Sequence, residues 1–270
     1  MAEVLRKAVP ALGAALVVAG CAAGGDEQAR EPPGAQPRPL ADVEHGSSAA
    51  PPPERRCRPA RETPVGDEQR SYAARAAGPV TAFARPRGRP VQQFGLENVN
   101  GIHTVFGVLA VVRDRGCRPA WYRVQLPIRP NGATGYVRAR DVRLLAVRTR
   151  IEVDLSARRI DFFRDGRRVL RTTAGVGSDA TPTPTGRYYV NQRLVAPDPA
   201  GPFGPGAIGI SAYSPVLTNW VQGGPIAIHG TNDPSSIGRA VTNGCLRIAN
   251  RLLVRMYGRN PEGTPVLVRA

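Results

Sequence analysis

From Tyr72 onward, the apolar runs of this chain are short, often alternate with polar residues, and end in Gly, Pro, Asn or Asp. A side-chain period of two over so few residues suits half-buried strands rather than amphipathic helices. Val80 to Phe83, Thr104 to Val112, Trp121 to Leu126 and Gly135-Tyr136-Val137 are all strand-sized. Further on, Ile151, Val153 and Leu155 alternate with polar residues, and Ile160 to Phe163 and Val169 to Thr172 flank Asp165-Gly166, a two-residue hairpin signal. The chain is therefore predicted to be mainly β. Its 30 glycines and 27 prolines supply the turns, and 41% hydrophobic residues suffice for packed cores. One short helix is expected near the end, capped by Asn250 and stopped at Gly258, before a strand from Pro265 to Val268.

A length of 270 residues accommodates two modest domains. Residues 72–147 form the first. There the alternation Trp121 to Leu126, the turn Pro130-Asn131-Gly132 and the run Gly135-Tyr136-Val137 resemble the end of a small SH3-like barrel. Strands become longer from Arg150, so residues 148–270 are assigned to a second domain. Between Val190 and Ser211, the Pro/Gly-rich stretch Pro197 to Gly209 reads as a long loop of the kind that walls a substrate site.

The N-terminal region has a different composition. Arg6 and Lys7 precede an apolar run from Ala8 to Ala19, the layout of a signal peptide over residues 1–20 and too short for a comfortable membrane span. Val18-Ala19-Gly20-Cys21 resembles a bacterial lipobox, which implies lipidation of Cys21 and a membrane tether on the outer face of the cell envelope. Residues 21–71 are rich in Pro, Gly and polar side chains and are expected to be a mostly disordered tether. A net charge of +16 raises the question of nucleic acid, but the arginines are dispersed and no nucleic-acid signature accompanies them. An anionic envelope polymer is the better-matched attractor.

With Cys21 assigned to lipid, Cys57, Cys117 and Cys245 remain. In an oxidising compartment Cys57 and Cys117 are the expected disulfide, two unpaired thiols being the alternative, and Cys245 is left as a free thiol. Its setting is suggestive. Ile226 and Ile228 alternate with Ala227 and His229, so His229 emerges at a strand end opposite the apolar face. Gly230 follows it. After a polar loop, Thr242-Asn243-Gly244-Cys245-Leu246-Arg247 places the cysteine behind a glycine, where backbone amides can turn toward a bound carbonyl. A thiol needs to become thiolate, and an imidazole can take the proton. Spacing alone leaves open a buried inert cysteine beside a structural histidine. Zinc is disfavoured, because one Cys and one His do not complete four ligand positions, and no cofactor is expected. His103, in the first domain, reads as structural.

His229-Gly230-Thr231, Ser236-Ile237-Gly238 and Gly244-Cys245-Leu246-Arg247 closely resemble the L,D-transpeptidase, or YkuD-type, catalytic domain. The likeness extends over about 150–270 through Val153-Asp154-Leu155, Pro182-Thr183-Pro184-Thr185-Gly186 and Gly263-Thr264-Pro265-Val266. It implies a β-rich fold in which Cys245 attacks a peptidoglycan tetrapeptide stem and releases D-alanine. The thioester then passes to the amine of an acceptor stem, giving a 3→3 cross-link, with carbapenems as inhibitors. His229 would be the base, its ring held by a backbone carbonyl. Many members carry Ser-His-Gly-Cys where this chain has Thr242-Asn243-Gly244-Cys245, so no second histidine is available. Arg247 matches a family arginine suited to a stem carboxylate, and Ser211 and Tyr213 are further pocket candidates. Discharge of the thioester by water, transfer to a protein amine, and a non-catalytic wall-binding lipoprotein are the competing readings.

Overall fold

A computed structural model of the protein describes residues 59–259 and 261–270. The expected leader over 1–20, the lipidated Cys21, most of the tether and Cys57 lie outside the described residues. The described chain is mainly β, with two eight-stranded sheets, a small two-stranded parallel pair and one short helix.

The first sheet is antiparallel throughout. Val105–Arg113 lies at its centre, hydrogen-bonded to Ser71–Ala76 on one side and Pro119–Gln125 on the other. Phe106, Val111, Tyr122, Val124 and Val137 alternate inward to make its core. Full burial of an aliphatic or aromatic side chain contributes about 1.5–3 kcal/mol, which is why short alternating runs suffice here. The sheet begins earlier than expected. Glu62–Pro64 pairs with Val105–Arg113, Glu62 standing opposite Val112, so the tether does not extend to residue 71. This edge strand is attached by backbone pairing and by Glu62, which accepts from Arg123 and Tyr136. It therefore carries no apolar alternation to reveal it.

The second sheet runs in the order Arg167–Thr173, Arg159–Arg164, Thr149–Asp154, Pro265–Arg269, Gly186–Val195, Gly206–Tyr213, Pro225–His229 and Leu246–Arg247. Two of its pairings are parallel: the C-terminal strand against Thr149–Asp154, and Leu246–Arg247 against Pro225–His229. The first two strands form the expected hairpin, with Asp165 at φ 49° and Gly166 at φ 76°. Positive φ at both turn residues matches the right-handed strand twist, the reason Asp-Gly is favoured there. Helix Asn250–Tyr257 buries Leu253, Met256 and Tyr257 against this sheet. The expected Asn250 cap is not formed. Ala249 occupies the cap position without a side-chain bond, and Asn250 instead accepts from the Thr231 amide at 2.7 Å.

The two sheets touch. Gln125 Nε2 donates to the Arg187 carbonyl at 2.8 Å, and Asn98 and Asn100 both donate to Gln192 Oε1. Gly107 packs so closely on Tyr189 that a Cβ there would lie 3.0 Å from the ring. This contact carries the turn 127–133 of the first sheet to the end of strand Gly206–Tyr213.

Candidate active site

The parallel pairing of Pro225–His229 with Leu246–Arg247 creates the site. Ile228 stands opposite Leu246 and His229 opposite Arg247. Ile226, Ile228, Leu246 and Ile248 face the main core, whereas Ala227 and Cys245 share a separate cluster with Ala207 and Phe203. Alternation thus puts His229 and Cys245 on one face. Phe203, from the Pro/Gly-rich loop, lies with its ring centroid 4.9 Å from that of His229 and also packs on the cysteine cluster. It closes this face against water. The loop is shorter than the sequence suggests, because strand Gly206–Tyr213 starts within it.

His229 is fully buried. Its Nδ1 lies 2.5 Å from the Gly230 carbonyl oxygen. A carbonyl can only accept, so Nδ1 carries the proton and Nε2 presents a lone pair. Nε2 has no hydrogen-bond partner in the protein. Burial pushes the imidazole down from 6.5 to about 4, partly opposed by the Gly230 bond and reinforced by the Arg247 charge. The ring is therefore neutral at pH 7, in the tautomer a base requires. Gly230 cannot be replaced easily, since a Cβ would run into Asn250 and Pro205.

Cys245 sits in a braced turn. Thr242 Oγ1 donates to the Cys245 carbonyl at 2.6 Å and accepts from the Gly244 amide at 3.2 Å. Gly244 has φ +111°, a conformation that L side chains rarely adopt. From the other side, Thr183 Oγ1 donates to the Gly244 carbonyl at 2.8 Å while accepting from the Gly177 amide at 2.9 Å. Thr181 Oγ1 donates to the Thr242 carbonyl at 3.0 Å and lies 3.4 Å from Asn243 Oδ1. The Thr-Pro-Thr-Pro-Thr run is thus a cradle for the cysteine turn. The two prolines fix its course and the threonines reach the turn's carbonyls. Sequence reasoning placed this run but gave Thr181 and Thr183 no role; the signal was a hydroxyl at every second position beside rigid prolines.

The oxidation state departs from expectation. Cys245, 1% exposed, is disulfide-bonded, as is Cys117, and no described cysteine is a free thiol. The expected odd thiol rested on lipid consuming Cys21, which, like Cys57, lies outside the described residues. A sulfur in a disulfide is not a nucleophile toward a peptide carbonyl; only the reduced thiol could be one.

Residues 148–268 match the L,D-transpeptidase catalytic domain family, YkuD. The YkuD protein of Bacillus licheniformis is 38% identical over 119 residues, covering 44% of this chain and 64% of that protein. Its Bacillus subtilis counterpart is 35% identical over 118 residues, with the same coverage. The chain thus spans a little under two thirds of the length of these relatives. An L,D-transpeptidase from Mycobacterium smegmatis covers 62% of this chain and 91% of its own, at 17% identity and a TM-score of 0.38.

Within residues 148–268 the remaining candidates separate. Arg247 is buried beside the turn bearing Asp233; burial lowers its guanidinium below the ordinary value and Asp233 opposes the effect. Ser211 and Tyr213 have their polar atoms committed elsewhere. Ser211 Oγ accepts from the Tyr189 amide at 3.1 Å, and the Tyr213 hydroxyl donates to the Pro127 carbonyl at 2.7 Å. Neither destination is visible in sequence, because both partners are distant in the chain. His103 pairs with Glu97 in an isolated antiparallel bridge outside the sheet strands. Among the described residues no group of three or more His, Cys, Asp or Glu is arranged to hold a metal.

Proposed function

We propose that the protein, once Cys245 is reduced, is a cysteine L,D-transpeptidase of peptidoglycan stem peptides. The observation that carries this reading is His229: its Nδ1 is fixed by the Gly230 carbonyl and its Nε2 is unpartnered, on the same strand face as Cys245. An external thiol first exchanges with the disulfide and frees the sulfur. Nε2 then takes the thiol proton as sulfur attacks the stem carbonyl that precedes D-alanine. The C–N bond breaks, the imidazolium returns its proton to the departing amine, and a thioester remains. In the second half-reaction an acceptor amine gives its proton to His229, attacks the thioester and restores the thiol. Where the acceptor is a second stem, the product is a 3→3 cross-link.

Export by the leader and attachment through lipidated Cys21 would put this chemistry at the cell wall, where a basic protein is drawn to anionic polymer. A carbapenem, whose strained carbonyl is attacked in the same way, is proposed as an inhibitor. Intact-mass measurement of the reduced protein with a defined tetrapeptide muropeptide tests the proposal. Reduced wild type should gain the acyl mass and release D-alanine; the oxidised protein and Cys245→Ala should do neither. An adduct on Cys245→Ala, or none on reduced wild type, would refute it.

A further inference from the structure

The first sheet does more than lie beside the catalytic domain. Its turn 127–133 grips the segment that runs from Tyr213 to Pro225, whose last residue places its carbonyl oxygen 4.0 Å from Cys245 Sγ and opens the strand ending in His229. Arg129 Nη2 donates to two carbonyls of that segment, Ser214 at 2.8 Å and Gly223 at 2.5 Å. One guanidinium therefore pins both ends of the loop together. Asn131 bonds Tyr213 on both sides, accepting from its amide at 2.9 Å and donating to its carbonyl at 2.8 Å, as a neighbouring strand would. The Arg129 guanidinium also lies 5.4 Å from the centroid of the Tyr213 ring. Gln222 adds a bond to Asn100, again in the first sheet, at 3.1 Å.

The gripped segment is irregular and holds itself only by turn bonds, among them the Val216 and Leu217 amides to Ser214 Oγ and the Gly223 amide to the Trp220 carbonyl. Gln222, Gly223 and Gly224 have φ of 57°, 78° and 67°, a succession in the left-handed region that glycine tolerates but that gives no regular backbone pairing. The Ser214 amide does bond the Gly224 carbonyl at 2.8 Å. The Ser214 and Gly223 carbonyls, however, accept from Arg129, and charge-assisted bonds of this kind are about twice as strong as neutral ones.

We propose that Arg129 and Asn131 are positioning residues for catalysis, holding the 213–225 segment as a wall of the Cys245 site so that the stem peptide meets the sulfur in a reactive geometry. This rests on the catalytic reading above. Small displacements of a site wall cost about 10- to 100-fold in rate, and this is the effect expected on stem acylation in Arg129→Ala and Asn131→Ala. Gln125→Ala is the control, since it removes a bond between the sheets that does not touch the segment.

The experiment uses the full chain, reduced, with three readouts. Acylation by the tetrapeptide muropeptide should fall about 10- to 100-fold in Arg129→Ala and Asn131→Ala and stay at the wild-type rate in Gln125→Ala. Arg129→Lys should recover only part, because an ammonium lacks the planar fork that spans two carbonyls. Alkylation of Cys245 by iodoacetamide, which needs no wall, should not be slowed in any of them. Hydrogen exchange of the 214–224 amides should accelerate in Arg129→Ala and not in Gln125→Ala. Wild-type acylation by Arg129→Ala, or an equal loss in Gln125→Ala, would overturn the proposal. Should reduced wild type itself not acylate, the transpeptidase reading fails, and unchanged exchange in Arg129→Ala would then overturn the clamp separately.

Discussion

The two sheets are built from similar strands but fill their interiors differently. Among the described residues, the first sheet buries one polar side chain, Thr104, whereas the second buries His229, Arg247, Arg193, Glu262 and several hydroxyls. Burying a polar group is unfavourable unless it is hydrogen-bonded, so the first sheet has the simpler energetics. Its core is a set of interchangeable apolar contacts. In the second, Arg193 and Glu262 meet at 2.7 Å and Arg193 also bonds the Tyr257 carbonyl, satisfying buried charge that would otherwise be destabilising. Among the described residues, His229 Nε2 and the Tyr189 hydroxyl of the second sheet are buried without a hydrogen-bond partner, as is His103 Nδ1 on the side of the first.

That contrast can be broken most sharply at His229. His229→Ala should slow acylation of the reduced protein by about 10²–10⁴-fold, and raising the pH should recover part of the loss by forming thiolate directly. His103→Ala, on the side of the first sheet, should acylate at the wild-type rate. Stopped acylation measured against pH in the three proteins decides this; equal loss in both variants would erase the distinction between the sheets.

A stability measurement follows. The unfolded imidazole protonates near 6.5 and the folded one only near about 4. Between those values the unfolded state binds more protons, so stability falls as pH is lowered from 6.5 and stops falling from this source below about 4. The difference corresponds to about 3 kcal/mol for this fully buried ring. Urea denaturation at pH 7 and pH 4 should show that loss in wild type and its absence in His229→Gln. The same slope in both would mean that His229 is not the group responsible.

The smallest effect belongs to the first sheet. Arg123 pairs with Glu62 at 2.9 Å, but both side chains are about a third exposed, and such pairs contribute roughly 0.2–1 kcal/mol. Arg123→Ala should lower unfolding stability by no more than that, with no change in acylation. A loss of several kcal/mol would show that the edge strand Glu62–Pro64 is tied far more tightly than its exposure implies.

Much of this protein was legible in local sequence. Alternation located Val80–Phe83 and the centre of most other strands, Asp165-Gly166 fixed a hairpin, and His229 and Cys245 stood out by residue type and by their neighbours. These features depend on side-chain period and on backbone angles within a few residues, which a linear sequence records. Glu62–Pro64 escaped because edge pairing needs no apolar pattern, and Gly206 and Gly209 looked like loop although Tyr257 and Gln192 press on them within a strand. The Asn250 side chain, expected to cap its own helix, was drawn to Thr231.

What only the tertiary structure decided are the partners of the site. The carbonyl that sets the His229 tautomer, the threonines under Cys245, the Phe203 ring over His229 and the Arg129 grip on Ser214 and Gly223 each join residues by geometry that spacing does not encode. The pairing state of Cys245 belongs with them. The sequence determined which atoms could do chemistry, because reactivity is a property of residue type. Their tautomer, solvation and oxidation were decided by long-range packing, because burial and hydrogen bonding depend on which distant segments the fold brings together.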